Sequence, residues 1–147
     1  MKTLPARQIR QRTGDLEISG KSAGRPKLFA DTEYTARLFN KHSGRLDIRS
    51  VADLYNLSVS ELARMIDVEV KTAHKTPDSI VIHESLIPFE EVARTLALTK
   101  GNVSDFRRWL NASNTELDNR TPLQMIRDRQ VRELAGIVRS ALLGQPD

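Results

Sequence analysis

At 147 residues, with 39% hydrophobic and 29% charged side chains and a net charge of +4, the chain has material for one or two small domains with a modest core. It contains no cysteine, which excludes disulfides and thiolate metal sites, and no apolar run approaches the ~18 residues that suggest a membrane helix. Aromatic residues make up only 5%, so the core is expected to be mainly Leu, Ile, Val and Ala, as in helical proteins. The opening MKTLPARQIR lacks the apolar segment of a secretory signal, and the expected location is the cytoplasm.

In chain order, residues 1–27 come first and are read as a flexible arm with a short helix near Pro5 to Gln11. The arm holds seven basic and two acidic residues, a net +5, against −1 for the remaining 120 residues. Such an arm is drawn to polyanions, DNA above all, and is equally compatible with a solvated tail. Asp31 is positioned to cap a helix reaching about Asn40, with Leu38 and Phe39 inward and Gly44 as its stop. Ile48, Val51, Ala52 and Tyr55 then mark one helix face. Ser58 and Glu61 form a capping-box signature, in which hydroxyl and carboxylate satisfy reciprocal backbone amides, ahead of Leu62, Ala63 and Ile66.

The run at 78–87 is rich in β-branched residues and reads as helix or extended chain, with helix preferred. Pro88 suits the first turn of a new helix carrying Phe89, Val92, Ala93 and Leu96, stopped by Gly101. Asn102 caps a helix whose inner face is Val103, Phe106, Trp109 and Leu110. Thr121 caps the next, with Pro122 at its first position and Leu123 and Ile126 inward. A last helix is expected from about Asp128 to Leu143, with Val131, Leu134, Ala135, Val138 and Leu142 as its stripe and Gly144 closing it. No convincing strand is found, and the fold class is all-α.

The stretch SVSELARMIDVEVKTAHKT has a helix-turn-helix layout. Ala63 allows two helices to cross closely, Asp67 stands where this motif usually turns on Gly, and a second helix begins near Glu69. Val68, Val70 and Ala73 would pack inward, leaving Lys71, Thr72, His74 and Lys75 outward as candidate DNA-binding residues for the major groove. The helix is poor in arginine, the commonest reader of guanine, and Pro77 cuts it short, so a helical hairpin without DNA contact is the competing reading.

Signatures of catalysis are lacking. GDLEISGKS at 14–22 separates its glycines by five residues where a phosphate-binding loop needs four. His42, His74 and His83 have no metal-ligand spacing, and no nucleophile elbow occurs. Neither an enzyme, a metal nor a cofactor is expected.

Near the C-terminus the order Trp109-Leu110, Asn114, Leu117 and Arg120-Thr121-Pro122-Leu123 resembles the toxin-binding domain of the Xre/MbcA/ParS antitoxins. That family usually carries Gly-Gly before Arg-Thr-Pro; here Asp118-Asn119 stand there, and Asn tolerates a left-handed backbone. The resemblance spans about residues 45–147 and leaves the arm outside it.

Beyond the arm at 1–27, it implies a helical Xre-like dimerising and DNA-binding domain at 28–100 and a toxin-binding domain at 101–147. It further implies an antitoxin that pairs with a RES-domain toxin, one that consumes NAD or uses it for ADP-ribosylation. The antitoxin would cover the toxin's active site, act as a homodimer within a hetero-oligomer, and bind operator DNA to regulate its own operon.

On this reading the toxin-binding residues are Arg120, Thr121, Pro122, Arg127, Arg132, Arg139, Leu142 and Leu143. Leu142 and Leu143, followed by Gln145-Pro146-Asp147, would project into a cleft, with Arg127, Arg129, Arg132 and Arg139 forming ion pairs around it. Trp109 is read as core, where its loss would cost about 3–5 kcal/mol. The alternative function is a stand-alone transcription regulator whose C-terminal helices dimerise or sense a ligand.

Overall fold

The computed structural model describes residues 33–144. The arm at 1–27, the cap at Asp31 and the tail Gln145-Pro146-Asp147 lie outside them. Among the described residues the α-helices are α1 (Glu33–Ala36), α2 (Ile48–Leu54), α3 (Val59–Met65), α4 (Val70–Lys75), α5 (Ile80–Leu96), α6 (Val103–Leu110), α7 (Pro122–Arg127) and α8 (Val131–Leu143). A 3₁₀ turn, Thr115–Leu117, lies between α6 and α7. There is no strand among these residues, only the isolated bridges Phe39–Leu46 and Asn114–Arg120. The chain is all-α, as its periodicity predicts. No helix among the described residues is long and apolar enough to cross a membrane.

The starts of the helices follow from capping chemistry. Ser58 and Glu61 form a complete capping box, the hydroxyl accepting from Glu61 N–H and the carboxylate from Ser58 N–H, both at 3.0 Å. Thr121 and Gln124 form a second one, with Pro122 at the first helical position. Asn102 and Ser79 cap α6 and α5 through single side-chain bonds. Each satisfies backbone donors that a helix start leaves open.

Asp47 caps α2 while almost fully buried, and its carboxylate also takes the Arg49 guanidinium at 2.8 Å. Burial pushes this carboxyl up, but hydrogen bonds from the Arg49 side chain and backbone, and from Asn40, outweigh it and hold it below the ordinary value. Glu61 is also held low, first by the Ser58 backbone N–H and then by Arg127. Folded pKa values below the unfolded ones mean stability that is present above roughly pH 4 and is lost as pH falls through the folded values. The urea midpoint should therefore decline between roughly pH 5 and 3, and Asp47→Asn should flatten that decline. An equally steep decline in the variant would remove Asp47 from this account.

Helix α5 is the axis of the molecule. It packs along α8, and α1 and α2 also lie against it; α3 joins α2 to α4, and α7 bridges α6 and α8. Ile82, Leu86, Phe89, Val92, Ala93 and Leu96 are all buried along it. This face corrects the expectation that Pro88 opens a new helix: Pro88 lies inside one continuous seventeen-residue helix. A mid-helix proline costs about 3 kcal/mol through its lost N–H and its clash with the preceding turn. Burial on both sides of it, with the apolar period uninterrupted from Ile82 to Leu96, offsets that cost.

Two boundaries also differ. The first helix ends at Ala36 rather than near Asn40, because Asp47 N–H bonds the Leu38 carbonyl and Asn40 N–H the Arg45 carbonyl, drawing the chain into a tight loop. Phe39 is accordingly only partly buried, and Leu46 enters the core instead. The last helix starts at Val131, not Asp128, because Arg129 adopts a left-handed φ of 62° that breaks α7 from α8.

The core is largely aliphatic but has an aromatic centre that the composition does not suggest. Tyr55 meets Phe89 edge-on at 5.4 Å and Phe106 at 5.3 Å; Phe106 also touches Tyr34 at 5.9 Å and Trp109 at 6.1 Å. The buried Tyr55 hydroxyl donates to the Phe89 carbonyl at 2.6 Å, and burial pushes its pKa well up.

Candidate partner-binding surface

The turn that follows α6 is built from side chains suited to it. Asn114 accepts from Glu116 N–H at 2.8 Å and begins the 3₁₀ turn, whose Leu117 is buried. Asp118 and Asn119 follow at φ 57° and 66°, both left-handed. Two consecutive residues in this region explain a preference for glycine there; Asp and Asn are the non-glycine residues that enter it most readily. The turn closes with Asn119 N–H on the Asn114 carbonyl at 3.0 Å and Asn114 N–H on the Arg120 carbonyl at 3.1 Å. The chain is thereby delivered to Thr121, where the capping box starts α7.

Beside this turn lies a groove of about 360 Å³, walled by Leu96 at the end of α5, Trp109, Leu117, and Ile137, Val138 and Leu142 on α8. Trp109 is only partly buried: it packs against the core and separates this apolar groove from a second depression holding Lys100, Asp105 and Arg108. Its partial exposure lowers the cost expected for removing a fully buried Trp109. Leu142 leaves the inward stripe of α8 and is 41% exposed, with Leu143 at 42%. Met125, not assigned to the core by spacing, is buried with Ile126, while Leu123 is only partly so.

The predicted site residues fall into separate groups. Leu142 and Leu143 stand exposed at the end of α8, with Leu142 on the groove. Arg120 and Arg127 line another depression, with Gln124 and Asp128. Pro122 is buried and Thr121 is occupied in its capping box.

Several of the arginines have partners within the chain. Arg127 pairs with Glu61 at 3.0 Å, Arg139 with Glu91, and Arg120 with Gln130 at 3.0 Å and Asp128 at 3.5 Å. Arg129 reaches Asp67 at 2.6 Å and the Arg64 carbonyl at 3.0 Å. Arg132 is exposed and makes no ion pair among the described residues.

These pairs fasten the α7–α8 corner to α3 and the turn after it. Asp67, at the position where Gly is the usual choice, has a left-handed φ of 59° and spends its carboxylate on Arg129. Glycine would relax the backbone there but remove this link. Beyond the turn, Lys71, Thr72, His74 and Lys75 are all exposed on α4, with Thr72 Oγ1 donating weakly to Glu69 at 3.5 Å, while Ala73 is buried and Val68 and Val70 partly so. Along the start of α5, Ile80, Val81 and Ile87 form an exposed apolar face, at 61%, 64% and 46%. His83 accepts the Leu46 N–H through Nδ1 at 3.0 Å.

Residues 93–138 match the family model of the antitoxin Xre/MbcA/ParS C-terminal toxin-binding domain. Among solved structures, the chain is similar to one in the crystal structure of the M. tuberculosis MbcT-MbcA toxin-antitoxin complex. The two share 19% sequence identity over 66% of this chain and 91% of that one, with a TM-score of 0.44. No curated protein gives a significant match. The matched span runs from the end of α5 to the middle of α8 and holds the turn, Trp109 and most of the groove.

Proposed function

We infer that this chain, which carries a toxin-binding domain of the Xre/MbcA/ParS antitoxin family at residues 93–138, neutralises a cognate toxin of the RES-domain type. The observation that carries the reading is this domain match falling on an intact capped turn beside an apolar groove. A neutralising partner needs a desolvated apolar centre ringed by polar groups, and the groove with its polar rim has that composition. Covering the toxin's NAD-binding active site is the mechanism the family resemblance suggests. The chain's own part would be to block access, which requires no catalytic group.

Operator binding is the second element of the proposal. The α3–α4 layout, with a left-handed turn at Asp67 and four exposed polar residues on α4, supports it. Lys71 and Lys75 would hold phosphates, with Thr72 and His74 near base edges. The basic arm would add phosphate contacts, so binding should weaken steeply with salt and the slope should flatten when residues 1–27 are removed. A homodimer that covers the Ile80–Val81–Ile87 face completes the proposal, and Val81→Glu should then shift the chain to monomer in sedimentation.

Co-expression with the product of the adjacent gene tests the central reading. Growth should be restored and the two proteins should purify together. Toxicity that persists despite a folded antitoxin would defeat it. Operator binding without a toxic neighbour would point instead to a stand-alone regulator.

A further inference from the structure

We propose that the groove beside Trp109 is the seat for the toxin, and that it takes an amphipathic segment presenting a large apolar side chain flanked by a carboxylate for Lys100 and a cation for Glu116. The proposal rests on the antitoxin reading above and adds where the partner sits and what chemistry it brings.

Three observations fix it. The walls of the groove lie inside the matched toxin-binding span, except Ala141 and Leu142 at the end of α8. Its sides are apolar, and Leu142 leaves 41% of its surface exposed at the edge, an arrangement that a monomer gains nothing from. Lys100 lines both this groove and the polar depression across Trp109; its carbonyl accepts from Tyr34, but its ammonium has no partner among the described residues. Arg108, next to it, is already neutralised by Asp105 at 2.7 Å. Glu116, exposed on the same groove, likewise has no ion pair among the described residues, so the rim offers one uncompensated charge of each sign and favours a segment that carries both.

An apolar helix face laid in such a groove is a recurrent mode of recognition, with an aromatic residue at the centre and a charge at the edge fixing its register. The exposed face of Ile80, Val81 and Ile87 lies outside the matched span.

The experiment uses the full-length chain and its purified toxin, with affinity measured by calorimetry. Leu142→Asp should weaken the complex about 30-fold or more. Lys100→Glu should weaken it about 10-fold and reduce its salt dependence. Hydrogen exchange on the unmodified complex, which no variant can confound by misfolding, should show slowed amides at 114–117 and 137–143. Parent-like affinity in both groove variants, or slowed exchange confined to 80–87, would overturn the placement while leaving the antitoxin reading intact. If the unmodified chain does not bind the toxin, the reading itself fails and the placement falls with it.

Discussion

Phe106→Ala is expected to lower stability by about 3–5 kcal/mol, which for a chain of this size is a drop of roughly 10–25 °C in melting midpoint. Phe106 has no exposed surface, and it is the ring on which Tyr34, Tyr55 and Trp109 converge. Removing it leaves a cavity bounded by stiff rings that cannot collapse far, so both the transfer term and the cavity term are lost. The edge-on contact with Tyr55 goes too, and with it part of the positioning of the Tyr55 hydroxyl on the Phe89 carbonyl. Trp109→Ala, despite the larger side chain, should cost less, about 1–2 kcal/mol, because one side of Trp109 already faces solvent. Thermal melting of the two variants side by side checks the order. A costlier Trp109 substitution would mean that the ring is held far more tightly than its exposure indicates.

Leu134→Asp should be the more damaging of two carboxylates placed on α8. Leu134 is fully buried on α8, which packs along α5, and no cationic side chain is buried among the described residues to receive a carboxylate. An unpaired charge at such a site costs about 3–5 kcal/mol, and a domain of ordinary marginal stability has little beyond that to lose. Loss of the cooperative urea transition is the expected result. The contrast is with Leu142→Asp, two turns further along the same helix, where the carboxylate reaches water and the fold should persist. A Leu134→Asp chain that melts like its parent would show that α8 is not the closing wall of the core.

How much of this was legible in the sequence depended on the range of the interactions involved. Ser58 with Glu61, Asn102, and Thr121 with Pro122 declare helix starts through bonds that span three residues, and each starts a helix where expected. The left-handed turn at Asp67 could also be anticipated from its place between two helices. Pro88 was misread because its local rule is genuine; what overrides it is contact with α2 and α8, from residues up to dozens of positions away. The same distance hides the use made of the arginines. Nothing near Arg127, Arg129 or Arg139 in sequence names Glu61, Asp67 or Glu91 as the partners they have within the chain. Trp109 carried an apolar spacing that fits core and groove equally, and only the packing of α8 against α5 decides between them.

The pairing of α5 with α8 also orders events during synthesis. The ribosome makes α5 well before α8, the last of the described helices. At about 5–20 residues per second, several seconds of translation separate the two. Throughout that interval the buried face of α5 has no α8 to cover it, and the groove lacks the wall that Ile137, Val138 and Leu142 provide. A nascent or prematurely ended chain therefore lacks a complete groove, and on the proposed reading its binding competence would arrive in one step, with α8.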